Sequence, residues 1–276
     1  MTTPVPDRGP RALVRRPSPR LAEGLVTHID RSDDVDPDLA LQQWRAYVAA
    51  LVGAGYEVLE AEEAPDLPDG VFIEDTMVVA GDLAVITAMQ APARAPEVDT
   101  AREAARAAGL TLVELVDAPL PPDVTGPVHL DGGDVLKVGH TAYVGVGGRT
   151  TPAGAAALAH HLAGAGYPVR TVPVARTLHL KSQVTALPDG TVVGWPPLVD
   201  DPGYWERATG FLEVPEEEGA HVIVLGEDTV LVSDAAPRTV ELLVARGLSV
   251  VTVPTSEIAK LEGCVTCLSV RLHPWD

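Results

Sequence analysis

A glycine that separates an alanine-rich stretch from a short run of strand-forming residues recurs along this 276-residue chain. Four such glycines are Gly55, Gly109, Gly166 and Gly247. Glycine is typical of the position just after a helix, because it adopts positive φ without strain. Each of these junctions therefore predicts a helix that ends and leads directly into a β-strand.

Each predicted strand is followed by two short apolar segments around a turn, which is the pattern of a β-hairpin. The predicted hairpins pair 76–80 with 83–88, 135–138 with 141–146, 184–187 with 191–195, and 221–225 with 229–232. After most hairpins comes a helix signal, such as Thr151-Pro152 before an alanine-rich segment, with proline at the first helical position. The pattern thus predicts repeated strand–hairpin–helix units.

With a short helix near 204–209, these units number about five, at a period of roughly 40–60 residues. The fifth unit has to close a circle. We expect segments 250–253 and 265–272 to pair with the N-terminal segment 12–15, and the helix of this unit to span 37–52. The predicted fold class is α/β, a five-bladed propeller of ββαβ-type units with fivefold pseudosymmetry. An ordinary α/β sandwich whose turns resemble one another by chance stays open as the alternative.

The charge balance disfavours several classes of partner. Twenty Lys and Arg against 39 Asp and Glu give a formal net charge of −19, which argues against nucleic acids and anionic membrane surfaces. Two cysteines do not make a disulfide framework, and no apolar run reaches the ~18 residues of a membrane span. Arg15-Arg16 is not followed by the apolar segment of a signal peptide. We expect a single cytoplasmic domain over residues 1–276, with about 1–10 as a flexible tail.

Acidic residues precede three of the predicted hairpins, and a histidine precedes a fourth. They are Asp69 with Glu74-Asp75, Asp131 with Asp134, Glu262 before Cys267, and His179. In a closed repeat, equivalent hairpin starts meet near the common axis, so these side chains are expected to share one polar pocket. A cysteine, a histidine and a carboxylate in one pocket are the usual means of activating a thiolate nucleophile.

The two cysteines also have simpler interpretations. Cys264 and Cys267 have the spacing of a redox pair, but a predicted strand follows them, whereas thioredoxin-type motifs precede a helix that lowers the thiol pKa. Zinc is disfavoured because a second cysteine pair is lacking and His160-His161 lies on a predicted helix. We expect Cys264 to be an inert packed residue, with oxidative pairing to Cys267 as the alternative.

The other candidates have structural interpretations of their own. His179 lies between two leucines and could be a structural histidine. The run from Asp131 to Asp134 could be a tight turn, and Arg94 and Arg149 could be solvated charges on the surface. The motifs G-x-S-x-G, Walker A, G-x-G-x-x-G and H-E-x-x-H do not occur in the sequence. Their absence removes the commonest serine-hydrolase, nucleotide-binding and zinc-protease functions.

Four segments, in order along the chain, resemble the dimethylarginine dimethylaminohydrolase family of the guanidino-group modifying superfamily. The segments are 69–79 (DGVFIEDTMVV), 130–136 (LDGGDVL), 172–182 (VPVARTLHLKS) and 262–269 (EGCVTCLS). The resemblance extends from about residue 12 to residue 272. It implies the pentein propeller, a five-unit fold that agrees with the repeat pattern.

The resemblance also implies a role for each matching residue. Cys267 is the expected nucleophile, His179 the general acid/base and Asp131 the carboxylate that orients it. The expected substrate-binding residues are the acidic Asp69, Glu74 and Asp75, the carboxylate-binding Arg94 and Arg149, the flap residue Leu21, and Leu261 through its backbone. The active-site flap is expected at about 20–34, and Glu262 replaces an aspartate that is frequent in relatives.

The implied reaction converts asymmetric dimethylarginine or monomethylarginine to citrulline and dimethylamine or methylamine, through an S-alkylthiouronium on the cysteine. It gives no task to a metal or an organic cofactor. The expected partner is a small cationic guanidino substrate, with no nucleic acid and no membrane, and the protein is expected to be a monomer or a homodimer. An arginine deiminase-like hydrolase for another guanidino compound, or a protein that only binds such a ligand, stays open as the alternative.

Overall fold

The computed structural model describes residues 9–31 and 34–272, and within these residues fifteen strands form five three-stranded sheets. The strands are β1 (Arg11–Val14), β2 (Glu57–Glu60), β3 (Met77–Ala80), β4 (Leu83–Ile86), β5 (Thr111–Glu114), β6 (Val135–Val138), β7 (Thr141–Val146), β8 (Val169–Pro173), β9 (Val184–Ala186), β10 (Val192–Gly194), β11 (Phe211–Glu213), β12 (Ile223–Val224), β13 (Thr229–Ser233), β14 (Ser249–Val253) and β15 (Ser269–Leu272). The helices are α1 (Pro37–Gly53), α2 (Glu97–Ala107), α3 (Pro152–Ala163), α4 (Pro202–Ala208), α5 (Pro237–Ala245) and α6 (Ser256–Ala259). Residues 1–8 of the expected tail and 32–33 of the expected flap lie outside the described residues.

One strand order repeats in all five sheets. In the second unit, for example, β3 and β4 form an antiparallel hairpin, and α2 then returns the chain to β5, which is parallel to β4. Each predicted hairpin lies at or near its expected position. The repeat therefore forms ββαβ units, as the sequence predicted.

The circle closes by joining the two ends of the described chain. β15 is antiparallel to β1, and β1 is parallel to β2, which follows α1. The expected pairing of 250–253 with the N-terminal strand is wrong, because these residues belong to β14, which completes the preceding sheet beside β13. Residues 265–268 are not part of a strand either: they precede β15 in a short helical turn that packs Val265 and Leu268 into the core.

The glycine junctions have the predicted conformation. Gly55, Gly109, Gly166 and Gly247 have φ values between 80° and 90°. The fourth unit contains a fifth example, Gly210, with φ 81° between α4 and β11. Its signal was obscured because α4 has only seven residues, too few for a clear helical pattern.

Hydrophobic clusters fill the spaces between neighbouring units. One cluster packs Trp44 and Tyr47 of α1 with Leu231 of β13, and thus joins the first unit to the last. Another packs Leu13 of β1 against Ile86 of β4. Such burial, worth about 1.5–3 kcal/mol for each large apolar side chain, is the main force that closes the ring.

A single 3₁₀ turn precedes the first strand of every unit. The turns are Ile73–Thr76, Gly132–Asp134, Leu180–Ser182, Glu218–Ala220 and Thr266–Leu268. The turn Ile73–Thr76 contacts both Gly132–Asp134 and Thr266–Leu268, and Gly132–Asp134 also contacts Leu180–Ser182. This arrangement brings residues that are distant in sequence to one end of the propeller axis.

Among the described helices, none has the length and apolar character that a membrane crossing requires.

Candidate active site

Four of the five 3₁₀ turns have a polar or thiol side chain within them or one residue before them, and three of these side chains form a buried cluster. Asp75 lies within the second unit's turn, while Asp131 and His179 each lie one residue before a turn. All three are at most 4% exposed. Cys267 lies in the last turn and is half-buried. The fold therefore brings the histidine and the carboxylates together, as expected from the equivalent hairpin starts, and the turn that holds Cys267 contacts the turn that holds Asp75.

His179 lies between two carboxylates. Its Nε2 atom is 3.2 Å from Oδ2 of Asp131, and its Nδ1 atom is 3.9 Å from Oδ1 of Asp75. Burial alone lowers the pKa of the imidazole, but the charge of Asp75 and the hydrogen bond with Asp131 outweigh it and raise this pKa to about 9. The imidazolium is thus the main form of His179 at neutral pH.

Asp131 is fully buried and fixed from three directions. Its Oδ1 accepts a hydrogen bond from the backbone N–H of Gln90 at 3.3 Å, and its own N–H donates to Thr150 Oγ1 at 3.3 Å. The Nη1 atom of Arg149 lies 3.9 Å from Oδ2. Of the two arginines expected to bind a carboxylate, Arg149 therefore lies beside the acid that contacts His179.

Asp134 positions the chain next to His179; the sequence predicted that it shares the polar pocket but gave it no role of its own. Its Oδ1 accepts from the backbone N–H of Leu180 at 2.9 Å, and its Oδ2 accepts from the Thr150 hydroxyl at 2.6 Å. Burial raises the pKa of Asp134 to about 6, although the positive charge of His179 acts to lower it. In the sequence, the only sign of this role was the position of Asp134 as the second aspartate of the Asp-Gly-Gly-Asp run.

Position 133 requires glycine because the side chains of His179 and Asp75 lie very close to its backbone. A Cβ atom at this position would lie 2.6 Å from Nδ1 of His179 and 2.7 Å from Oδ1 of Asp75. Its backbone N–H donates to the same Asp75 oxygen at 2.8 Å. Any larger residue would push the histidine and the carboxylate apart.

Arg94 is committed to a buried ion-pair network. Its Nη1 donates to Asp75 Oδ2 at 2.7 Å, and its Nε and Nη2 donate to both oxygens of Glu97 at 2.9 and 2.8 Å. Burial raises the pKa of Asp75, but His179 and Arg94 outweigh it and lower this pKa to about 2. The guanidinium of Arg94 thus binds carboxylates of the protein itself. The expected role of Arg94 in binding a substrate carboxylate stays a prediction. Glu97, three residues after Arg94, was missed by the sequence analysis.

Glu74 is buried and precedes Asp75 in the turn Ile73–Thr76. It forms an ion pair with Lys181 at 2.7 Å, and both border an axial cavity of about 440 Å³. Burial raises the pKa of Glu74 to about 7 in spite of the lysine. The Glu74 side chain lines the axial cavity, and its expected contact with substrate stays a prediction.

Cys267 and Cys264 are both free thiols, and their sulfur atoms are 3.5 Å apart. The hydrogen bond with Cys264 and burial raise the pKa of the Cys267 thiol, and the carboxylates of Glu74 and Asp75 add to the rise. A positively charged ligand would favour its ionisation.

Two carboxylates hold the described part of the flap. Asp69 accepts a hydrogen bond from the backbone N–H of Leu25 at 3.0 Å, so an expected substrate ligand also contacts the flap. Burial raises the pKa of Asp69. Arg31 donates to the carbonyl of Gly24 at 2.8 Å and to that of Ala22 at 2.6 Å, which ties the flap to itself.

Glu262 makes the second attachment. Its carboxylate accepts hydrogen bonds from three successive backbone N–H groups, those of Thr27 (3.0 Å), His28 and Ile29 (3.0 Å). Glu262 has φ 60°, the only positive value at a non-glycine among the described residues. A residue held in this strained region at a site is a mark of a functional constraint. The sequence gave no sign of this contact, which spans more than 230 positions.

Two expected binding residues have buried apolar side chains. Leu21 (0% exposed) and Leu261 (3% exposed) both pack into the core cluster of α1. The backbone of Leu21 accepts a hydrogen bond from Gly24 at 2.9 Å. A substrate contact by either leucine would therefore involve the backbone, as predicted for Leu261.

Asp75, Asp131 and His179 offer ligand atoms that all lie within 4.8 Å of one another, which is a spacing that could hold a metal ion. Arg94 and Arg149, however, already lie against the two carboxylates. These cations take the place that a divalent ion would need, so the donor set fits an acid–base pair better than a metal centre.

Five ββαβ units around a buried histidine–carboxylate pair and a cysteine define a protein of the arginine deiminase class. Residues 50–187 match the arginine deiminase family model. The chain is 52% identical over 263 residues to the N(G),N(G)-dimethylarginine dimethylaminohydrolase of Streptomyces coelicolor, covering 95% of this chain and 97% of the relative. It belongs to the dimethylarginine dimethylaminohydrolase family, as the four segments predicted.

Solved structures of relatives confirm the pentein propeller. A dimethylarginine dimethylaminohydrolase in which glycine replaces a histidine, in an adduct with S-methyl-L-thiocitrulline, has a TM-score of 0.83 at 26% identity. A cysteine-to-serine variant of the Pseudomonas aeruginosa enzyme, complexed with citrulline, has a TM-score of 0.81 at 26% identity. Each covers 95% of this chain and 98% of the relative.

Proposed function

We propose that this protein hydrolyses asymmetric dimethylarginine and monomethylarginine to citrulline and dimethylamine or methylamine. The observation that carries the proposal is the buried contact of His179 with Asp131 and Asp75 at an axis that also contains Cys267. The name of the relative that is 52% identical supports this substrate class.

Substrate recognition begins with charge. A methylated guanidinium is a cation, and the carboxylates of Asp69 and Asp75 can hold it by charge-assisted hydrogen bonds. Asp75 is ionised throughout the physiological range because its pKa is held at about 2. The bound cation offsets the negative charges that raise the pKa of Cys267, so substrate binding itself promotes formation of the thiolate.

The first chemical step is attack of the Cys267 sulfur on the central guanidinium carbon, which gives a tetrahedral adduct. His179, protonated because its pKa is about 9, donates its proton to the departing amine. The C–N bond breaks, dimethylamine or methylamine leaves, and a planar S-alkylthiouronium stays on Cys267. Asp131 holds the imidazole in place for this transfer.

The second step consumes one water molecule. His179, now neutral, takes a proton from the water, whose oxygen attacks the same carbon. The C–S bond then breaks, the second water proton passes to solvent, where the released amine takes it up, and citrulline leaves. The Cys267 thiolate is thereby restored beside a protonated His179. Acid–base catalysis of this type contributes about 10²–10⁴-fold to a rate.

Specificity for methylated over plain arginine depends on pocket shape, since the chemistry is the same. A methyl-sized difference is worth about 1–3 kcal/mol in an apolar pocket. Discrimination is therefore a property of the walls around the guanidinium and of the flap. An arginine deiminase activity is the second candidate, because residues 50–187 match the arginine deiminase model.

We also propose a cytoplasmic location and a monomer or homodimer. The chain has only two cysteines, too few for a disulfide framework, which is typical of proteins in a reducing compartment. Fractionation of cells and light scattering of the purified protein test these two points.

The function is tested by measuring citrulline and amine release from asymmetric dimethylarginine, monomethylarginine and arginine. We expect citrulline with an equal amount of dimethylamine or methylamine from the methylated compounds, and a much lower rate from arginine. Citrulline mainly from arginine, with ammonia, would replace the proposal by an arginine deiminase. No product from any of the three would direct the search to other guanidino compounds.

A further inference from the structure

Cys264 has no task in the reaction above, yet its sulfur lies 3.5 Å from that of Cys267. The backbone N–H of Cys267 donates to the carbonyl of Cys264 at 3.2 Å, and this bond closes the turn between them. Side chains at positions i and i+3 of a 3₁₀ turn lie above one another. The turn therefore presents the two sulfurs to each other through its backbone geometry.

The geometry suits a covalent bond between these sulfurs. Residues i and i+3 of a hydrogen-bonded turn have Cα atoms less than about 7 Å apart, which overlaps the 4.4–6.8 Å range of disulfides. The sulfurs need to approach by roughly 1.5 Å to reach the 2.03–2.05 Å bond length. Small rotations of the two side chains give such a shift without a change in the propeller.

Small molecules have a route to this pair. Cys264 borders a cavity of about 200 Å³ that is also lined by His221, Glu217, Glu262 and His28. A water molecule occupies about 30 Å³ of liquid, so the cavity has room for a peroxide beside the thiol. Cys267 is itself partly exposed.

We propose that Cys264 is a resolving thiol, which converts peroxide oxidation of the cysteine pair into a reversible Cys264–Cys267 disulfide. One sulfur attacks the peroxide, the O–O bond breaks, and the products are a sulfenic acid and water. The thiol of the other cysteine then attacks the sulfenic sulfur, the S–S bond forms and a second water leaves. Two thiols are oxidised by two electrons and one hydrogen peroxide is reduced to two waters.

The disulfide engages the sulfur of Cys267 and so removes the nucleophile. It also keeps this sulfur from further oxidation to sulfinic acid, which is irreversible for most proteins. A small dithiol reopens the bond by thiol–disulfide exchange. The loss and return of hydrolysis depend on the proposed function, whereas disulfide formation does not, so the mass and thiol readouts below test the pairing by themselves.

The test treats the reduced, full-length protein with hydrogen peroxide at a few molar equivalents. Intact mass and free thiols under denaturing conditions are measured, with citrulline formation before and after dithiothreitol. We expect the mass to fall by two hydrogen atoms, both thiols to disappear, and activity to be lost and then restored. In Cys264→Ser, the same treatment should add oxygen atoms to Cys267, and dithiothreitol should not restore the activity of the molecules that have gained two or more of them.

Cys264→Ala serves as a second variant, and circular dichroism shows whether each variant is folded. Peptide mapping of the oxidised wild-type protein should give one fragment linked between Cys264 and Cys267. A wild-type protein that gains oxygen and retains no linked peptide would overturn the proposal. So would a disulfide between two chains on a non-reducing gel, or recovery of Cys264→Ser equal to that of the wild type.

Discussion

The imidazole of His179 and the carboxylate of Asp131 form a buried pair, with 3.2 Å between Nε2 and Oδ2. Asp131 is one of the three carboxylates that keep the pKa of His179 at about 9. Asp131→Asn retains the shape of the side chain and removes its charge. We expect this variant to lower kcat by about 10²–10⁴, because the imidazole loses both its orienting partner and part of its proton affinity.

The pH profile of kcat distinguishes this explanation from a general loss of structure. The alkaline limb should move to lower pH in Asp131→Asn, since its His179 releases the proton more easily. Asp99→Asn is the matched control, because Asp99 is also paired with an arginine but is 73% exposed on α2. An alkaline limb at the same pH in Asp131→Asn and in wild type would contradict the assignment.

Glu262→Gln tests the attachment of the flap. The amide replaces one of the two oxygens that accept three backbone N–H groups, and its own N–H groups face those donors. We expect faster limited proteolysis within residues 24–31 and a fall in kcat/KM of about tenfold. Glu23→Gln makes the same chemical change at an exposed flap residue paired with Arg20, and should have little effect. Equal protease sensitivity in the two variants would show that Glu262 does not hold the flap.

Arg94→Ala tests the buried ion-pair network. The substitution leaves Asp75 and Glu97 without their shared cation, and breaking a buried pair from one side costs about 3–5 kcal/mol. Arg102→Ala is the control, because Arg102 pairs with Asp99 and Glu114 closer to the surface and should cost about 1 kcal/mol or less. Urea unfolding measures both. Equal losses would mean that the Arg94 network does not stabilise the fold.

His179 predicts how stability changes with pH. Its pKa in the folded protein, about 9, is above the ordinary value of 6.5. The stabilisation it gives is therefore complete below about pH 6.5 and is lost as the pH rises to about 9. Wild type should lose up to about 1.4 kcal/mol of unfolding free energy per pH unit in this window relative to His179→Gln. Parallel stability curves for the two proteins, from urea unfolding at pH 6.5, 8 and 9.5, would contradict the raised pKa.

The propeller was predictable because its signals are local and repeated. Each glycine junction and hairpin is encoded within about ten residues, so four units could be recognised one by one. Pairing between distant strands is not encoded locally, which explains why 250–253 was assigned to the wrong sheet. The short α4 concealed Gly210 for a similar reason, since seven residues show little periodicity.

The candidate site was predictable to the extent that fivefold closure brings hairpin starts together. Asp75, Asp131 and His179 lie in contact as a result. The contacts of Glu97 and Glu262 were not predicted, because each depends on where a side chain points after folding. The flap contact of Glu262 joins two ends of the chain that carry no shared pattern.

The most direct test of the account compares Cys267→Ser with Cys264→Ser in the hydrolysis of asymmetric dimethylarginine under reducing conditions. The two sulfurs are only 3.5 Å apart, so comparing the two variants shows which of the two cysteines is the nucleophile. We predict that Cys267→Ser loses citrulline formation by at least about 10³-fold, while Cys264→Ser retains most of the wild-type rate. Loss of activity in Cys264→Ser with turnover preserved in Cys267→Ser would assign the nucleophile to the other cysteine and contradict the mechanism.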